Sequence, residues 1–126
     1  MAILFITHNL GLVAEIADRA MVMYAGEIVE TAPVSKLFAN PRMPYTHGLL
    51  RSLPRLGHKR EGGGRIVPIP GSLPSPIALP PGCIFHPRCA HSVIGLCDAT
   101  PSVLETCDDA HQVRCTRWRD VEWSRE

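Results

Sequence analysis

Five cysteines, Cys83, Cys89, Cys97, Cys107 and Cys115, fall within thirty-three residues, separated by five, seven, nine and seven others. Four thiolates can hold Zn²⁺ tetrahedrally or carry a cubane iron–sulfur cluster, and either supplies folding energy to a segment that has no core. None of the spacings is the close Cys-x-x-Cys pair of zinc ribbons, and they differ from the bacterial ferredoxin run, so the pattern by itself names no metal. The alternative is five unligated thiols packed as small apolar groups, a common use of free cysteine. His86, His91 and His111 lie in the same stretch as substitute nitrogen ligands. Arg88 and Arg114 directly precede Cys89 and Cys115, where a cation either lowers a thiol pKa or simply faces solvent.

A second candidate is His8, in Ile6-Thr7-His8-Asn9-Leu10-Gly11. It follows the apolar run Ala2–Ile6, which reads as a strand buried on both faces, and ligands of open α/β sheets bind beyond the carboxyl ends of strands. A neutral imidazole there can hydrogen-bond a phosphate oxygen or an attacking water. The same place also suits a histidine that only satisfies nearby backbone. Arg117-Trp118-Arg119 with Trp123 resembles a stacking platform for nucleic acid, but Asp120, Glu122 and Glu126 interleave and cancel the field. Two tryptophans packing the end of the chain onto its first half is the better reading.

The elements that position these residues divide into two unlike halves. In residues 1–53 the strand Ala2–Ile6 leads to Asn9, a helix cap. Leu10, Val13, Ile16 and Ala17 then recur at helical spacing. Ala20–Tyr24 and Glu27–Thr31 flank Ala25-Gly26 as a hairpin. Pro33 opens a helix with Val34, Leu37 and Phe38 inward, Asn40–Pro44 stops it, and Tyr45–Leu53 forms one more. This order suits the closing edge of an α/β layer. Two or three strands cannot cover both faces of Ala2–Ile6, so further chain is expected ahead of Met1. Residues 54–64, charged and then glycine-rich, read as a linker. Residues 65–126 hold seven prolines between Pro68 and Pro87, so this extension is expected to be irregular, with at most a short edge strand at Ile66–Gly71 and no apolar core of its own.

Composition limits the partners. Thirteen Lys+Arg against twelve Asp+Glu leave a net charge of +1, too balanced for a general polyanion binder, so no nucleic-acid partner is expected. A 45% hydrophobic content is ordinary for a globular chain. No apolar run reaches bilayer length, and the opening residues lack the basic start of a signal peptide, which points to the cytoplasm. Five cysteines there are ligands or free thiols rather than disulfides.

The stretch Leu4–Glu30 (LFITHNLGLVAEIADRAMVMYAGEIVE) closely resembles the switch-histidine region of ABC transporter ATP-binding subunits. Leu37–Leu50 (LFANPRMPYTHGLL), Pro70-Gly71 and Gly82–Cys89 (GCIFHPRC) narrow the likeness to the oligopeptide/dipeptide and nickel importers. The resemblance implies the C-terminal edge of an ABC-type P-loop nucleotide-binding domain over 1–53, followed by a cysteine-rich extension over 65–126. It implies that His8 contacts the γ-phosphate of ATP and helps arrange the attacking water, a positioning role. Asn9 stands where the family usually has Asp, keeping the capping oxygen and losing a charge. Cys83, Cys89, Cys97 and Cys115 correspond to cysteines that in some members hold a [4Fe–4S] cluster, with zinc as the alternative; Cys107 is extra. Partners implied are membrane permease subunits, a second ATPase subunit and an extracytoplasmic binding protein, at the cytoplasmic face of the membrane.

The chain has no Gly-x-x-x-x-Gly-Lys-Ser/Thr, and Gly62-Gly63-Gly64-Arg65 lacks both the lysine and the strand-to-helix setting of a phosphate loop. The signature and the acidic metal-holding segment are missing as well. ATP and Mg²⁺ are therefore cofactors of the full-length family and are not expected to bind this chain alone. The competing function is a stand-alone iron–sulfur or zinc module acting in redox sensing or protein interaction. The transported solute is not legible.

Overall fold

A computed structural model describes residues 1–53 and 66–123; the expected linker at 54–64 lies outside the described residues. The first half follows the hydrophobic spacing. Asn9 Oδ1 accepts the Leu12 amide at 3.1 Å and starts α1 (Leu10–Ile16). Strand β1 (Arg19–Tyr24) turns through Ala25 and Gly26, whose φ values of 48° and 85° are both positive. Such a turn matches the right-handed twist of the flanking strands. It returns as β2 (Glu27–Pro33), antiparallel, with a register shift at Val22/Met23. Helix α2 (Val34–Ala39) buries Val34 and Leu37, and α3 (Pro44–Arg51) begins on a proline whose missing N–H costs nothing at that position.

Two expectations are corrected. Ala2–Ile6 is not a buried strand: it makes no ladder, and Ile3, Leu4, Phe5 and Ile6 are 65%, 75%, 59% and 93% exposed. A strand exists only with a partner, and among the described residues none runs beside it. The extension, for its part, is not confined to loops. It supplies β3 (Glu105–Asp108) and β4 (His111–Val113), and β4 pairs antiparallel with β2 through Glu30↔Val113 and Thr31↔Gln112. The sheet order is β1-β2-β4-β3. The molecule is therefore mixed α/β around an antiparallel four-stranded sheet to which both halves of the sequence contribute. Ile66–Gly71 forms no strand.

The core is likewise shared. Val22, Tyr24, Val29, Ala32, Leu37 and Met43 come from the first half, and Ile84, Phe85 and Val113 from the second. Phe85 meets Tyr24 edge-on, ring centres 5.2 Å apart, and Tyr45 at 5.3 Å. Burying one such ring contributes about 1.5–3 kcal/mol, enough to seat the loop that begins at Cys83 against β1 and α3. Gly82 makes that loop possible. Its φ is +74°, and a Cβ there would lie 2.3 Å from the Cys97 carbonyl oxygen. The close crossing lets the Cys83 amide donate to Cys97 O at 2.8 Å.

A buried carboxylate fastens the sheet to the segment ahead of α3. Glu30 is fully buried and accepts from His111 Nε2 at 2.6 Å and from the amides of Arg42 and Met43 at 2.6 and 3.1 Å.

Candidate functional site

Four cysteines from three loops converge. The turn after Gly82 carries Cys83, the 3-10 helix His86–Arg88 delivers Cys89, the turn closed by Cys97 N to Val93 O carries Cys97, and β4 leads into Cys115. All four, with His86 and His91, line one cavity of about 20 Å³. Cys107 is not among them; its thiol donates to His111 O at 3.3 Å. The four cysteines singled out by resemblance are thus the four that come together, and the supernumerary one points elsewhere.

Each of the four sulfurs is a hydrogen-bond acceptor. Cys83 receives the amides of Phe85 and His86 and the hydroxyl of Ser102. Cys89 receives the His91 amide and Cys115 the Arg117 amide. Cys97 receives the Val93 amide at 3.4 Å. Burial nevertheless pushes the Cys83 and Cys89 thiols up, and Cys115 is pushed up to about 12, first by burial and then by the other cysteines. At Cys83, Cys89 and Cys115 the amide dipoles favour thiolates, while burial opposes them; a bound cation resolves that conflict. The donor chemistry therefore fits a thiophilic metal. As the side chains stand, no group of three or more His, Cys, Asp or Glu among the described residues is arranged to hold a metal ion, so binding requires the sulfurs to draw together.

The flanking arginines do not serve the thiols. Arg88 is tied to Pro70 O at 2.9 Å, Ile69 O at 3.3 Å and Tyr24 Oη at 3.4 Å. Arg114 holds Ile28 O at 2.9 Å and Ser102 O at 3.2 Å. The cation that acts on Cys89 is Arg117, whose guanidinium donates to His91 O. Of the three candidate histidines, His111 is committed to Glu30, while His86 Nε2 is sealed from solvent without a hydrogen-bond partner.

His8 stands exposed on the bend ahead of α1, next to Asn9, whose amide donates to Thr7 Oγ1 at 3.0 Å. It lines neither the cysteine cavity nor a second, more open cavity of about 200 Å³ beside α3. That second cavity holds an arrangement with no clear mark in the sequence: His47 stacks on Trp123 at 4.2 Å and 11°, with His91 edge-on to the same ring at 5.3 Å. Trp123 Nε1 donates to Pro41 O at 2.8 Å, and Trp118 lies under Arg119, 4.3 Å from the guanidinium carbon to the ring centre. Both tryptophans pack within the molecule, as their acidic neighbours suggest.

Comparison with known proteins bears on both sites. Residues 29–97 match the family described as the oligopeptide/dipeptide transporter, C-terminal region. The chain is 51% identical over 124 residues to a putative peptide import ATP-binding protein of Brucella ovis, covering 96% of this chain and 36% of that protein. It is 51% identical over 115 residues to the oligopeptide transport ATP-binding protein of Mycobacterium bovis, covering 91% of this chain and 18% of that one. It thus spans about a third or less of these relatives' length. The family match begins in β2 and runs through α2, α3 and the turn that carries Cys97, so it takes in most of the shared core, all but Val22, Tyr24 and Val113, together with three of the four converging thiols. The chain belongs to the oligopeptide/dipeptide transporter C-terminal-region family.

Proposed function

We propose that this chain acts as the C-terminal region of an ATP-binding subunit of an ABC-type peptide importer, coupling ATP hydrolysis to peptide uptake. The observation that carries the reading is the 51% identity over 96% of the chain to a protein named for peptide import and ATP binding. In that setting His8 contacts the γ-phosphate and positions the attacking water. The exposed run Ala2–Ile6 gains strand partners from the rest of the nucleotide-binding domain, which also supplies the phosphate loop, its lysine and the Mg²⁺ ligands. Permease subunits and a second ATPase subunit are the partners, and the subunit sits at the cytoplasmic face of the membrane. Among the described residues no helix is long and apolar enough to cross a membrane.

The test is a graft. Residues 1–126 replace the matching stretch of the Brucella ovis relative, and ATP hydrolysis and ATP-dependent peptide uptake are measured with that relative's permease. The graft is expected to be active, and His8→Ala to lower hydrolysis by roughly 100-fold, the scale of misplacing one reacting group. A soluble graft that binds ATP but is indifferent to His8→Ala overturns the role of His8. The 126-residue chain alone is expected to show no saturable Mg·ATP binding by calorimetry.

Within this region Cys83, Cys89, Cys97 and Cys115 hold a thiophilic metal that ties three loops together. What supports this is their convergence on one cavity with an N–H donor for every sulfur. The resemblance implies a [4Fe–4S] cluster at these four cysteines, with zinc as the alternative.

A further inference from the structure

We propose that the open cavity beside α3 binds a small organic anion, one carboxylate on an apolar body, with the carboxylate taken by Arg51 and Arg88 next to His47. The assignment is independent of the thiol cavity and of the part played by His8.

The cavity is built from three segments of the chain. Helix α3 contributes His47, Gly48 and Arg51, whose spacing puts them on one side of the helix. Ile69, Pro70 and Phe85 supply apolar lining. A Cβ on Gly48 would lie 2.9 Å from Ile69 Cγ1, so the missing side chain is what lets this lining approach the helix. Trp123 completes the cavity, its indole fixed by the bond from Nε1 to Pro41 O. At about 200 Å³ the space is smaller than the roughly 300–1,000 Å³ of sites for drug-sized molecules, which suits a small metabolite.

Charge selects the ligand. The lining carries the guanidiniums of Arg51 and Arg88 against one carboxylate, that of Glu122, so with both histidines neutral one positive charge is left over. Arg88 spends three of its five N–H groups on Pro70 O, Ile69 O and Tyr24 Oη, which fix it in place and leave two for a ligand. The planar guanidinium fork matches a carboxylate. His47 stacks on Trp123 with His91 edge-on to the same ring, and among the described residues neither imidazole makes a hydrogen bond. Burial, then Arg51 and His91, hold the His47 imidazole below its ordinary value; an anion seated among these groups relieves that repulsion and favours the imidazolium, which then donates to it. A phosphate dianion exceeds the one charge left over and makes no use of the apolar lining, and a neutral ligand leaves the cations unanswered.

The probe is 3-phenylpropionate, titrated by calorimetry into the full chain, with 3-phenylpropanol and inorganic phosphate as comparators. Saturable binding is expected for the carboxylate, and markedly weaker binding for the alcohol and for phosphate. Arg51→Gln is expected to weaken the carboxylate by roughly 10-fold or more, the effect of losing a charged hydrogen-bond partner. Arg51 is exposed at the end of α3, so the fold is expected to survive, which thermal melts without ligand check. Arg51→Lys, which keeps the charge and loses the fork, is expected to fall between. Arg119→Gln, which removes the same charge outside the cavity, is expected to change nothing. Between pH 8 and pH 6 the affinity is expected to rise roughly 3–10-fold as His47 takes up a proton with the ligand, and His47→Gln to abolish that rise. No saturable binding of the carboxylate overturns the site. Equal binding of the alcohol overturns recognition of the carboxylate, and equal binding of phosphate overturns the apolar body. Equal losses in Arg51→Gln and Arg119→Gln reduce the effect to surface charge and overturn the site as well.

Discussion

Glu30→Ala tests whether a single carboxylate holds the two halves of the chain together. Glu30 lies on β2, is fully buried, and bonds at once to His111 on β4 and to two amides of the segment leading into α3. Truncation leaves the His111 ring and the Met43 amide buried without a partner, while Arg42 is only half-buried and can recruit water. Two buried orphans at about 1–3 kcal/mol each, together with the volume lost, place the cost at about 3–5 kcal/mol. That is a large part of a stability of about 5–15 kcal/mol for a typical domain. With a urea m-value of about 2 kcal/mol/M, the midpoint falls by about 2 M. The assay is urea unfolding followed by circular dichroism for wild type, Glu30→Ala, His111→Ala and the double variant. The double variant is expected to be more stable than the sum of the singles by about 1 kcal/mol or more, because each single strands the other's partner. A Glu30→Ala midpoint within about 0.5 M of wild type, or strictly additive singles, would refute the reasoning.

Other consequences are smaller or more local. Gly82→Ala is expected to cost about 2–4 kcal/mol, combining left-handed backbone with a collision at the Cys97 carbonyl. Gly26→Ala, equally left-handed but with open space around it, is expected to cost only about 1 kcal/mol; equal losses in thermal melts would refute the crossing argument. Burial, then Arg51 and His91, hold the His47 imidazole below its ordinary 6.5. The unfolded chain therefore binds the proton first, and stability is expected to rise with pH up to about 6.5 and to fall as pH drops below it. His47→Gln is expected to flatten that slope, read as the urea midpoint between pH 5 and 7.5. Without metal, Cys83, Cys89 and Cys115 keep their protons above the ordinary 9, Cys115 to about 12. The metal-free fold is thus expected to lose stability as pH climbs past 9. At pH 8 iodoacetamide should label Cys115 only after urea is added, as peptide mass spectrometry would show; fast labelling of the folded chain contradicts its burial.

Much of the first half was legible because its signals are local. The Asn9 cap, the Ala25-Gly26 turn, Pro33 ahead of α2 and the spacing of Val34 and Leu37 each act within a few residues. The grouping of Cys83, Cys89, Cys97 and Cys115 was also named, but only through resemblance; the spacings alone do not separate Cys107 from the rest. Ala2–Ile6 failed as a strand because apolar composition states what a segment would bury and not what is there to bury it. Glu30 gave no signal, since a glutamate in a hairpin strand ordinarily faces water, and its partner His111 lies eighty-one residues away.

Cap, turn and helix-face chemistry are determined by residue types in contact along the chain, and for these elements sequence was sufficient. The pairing of β4 with β2, the packing of Phe85 against Tyr24 and Tyr45, and the burial of Glu30 are decisions of tertiary structure. Each depends on groups remote in sequence meeting across a sheet, where pairing geometry and desolvation, not local preference, decide which side chain is inside. The thiol cavity is the same kind of object: its residues are spread over thirty-three positions, and only the close crossing at Gly82 and the anchored Phe85 bring their sulfurs to one place.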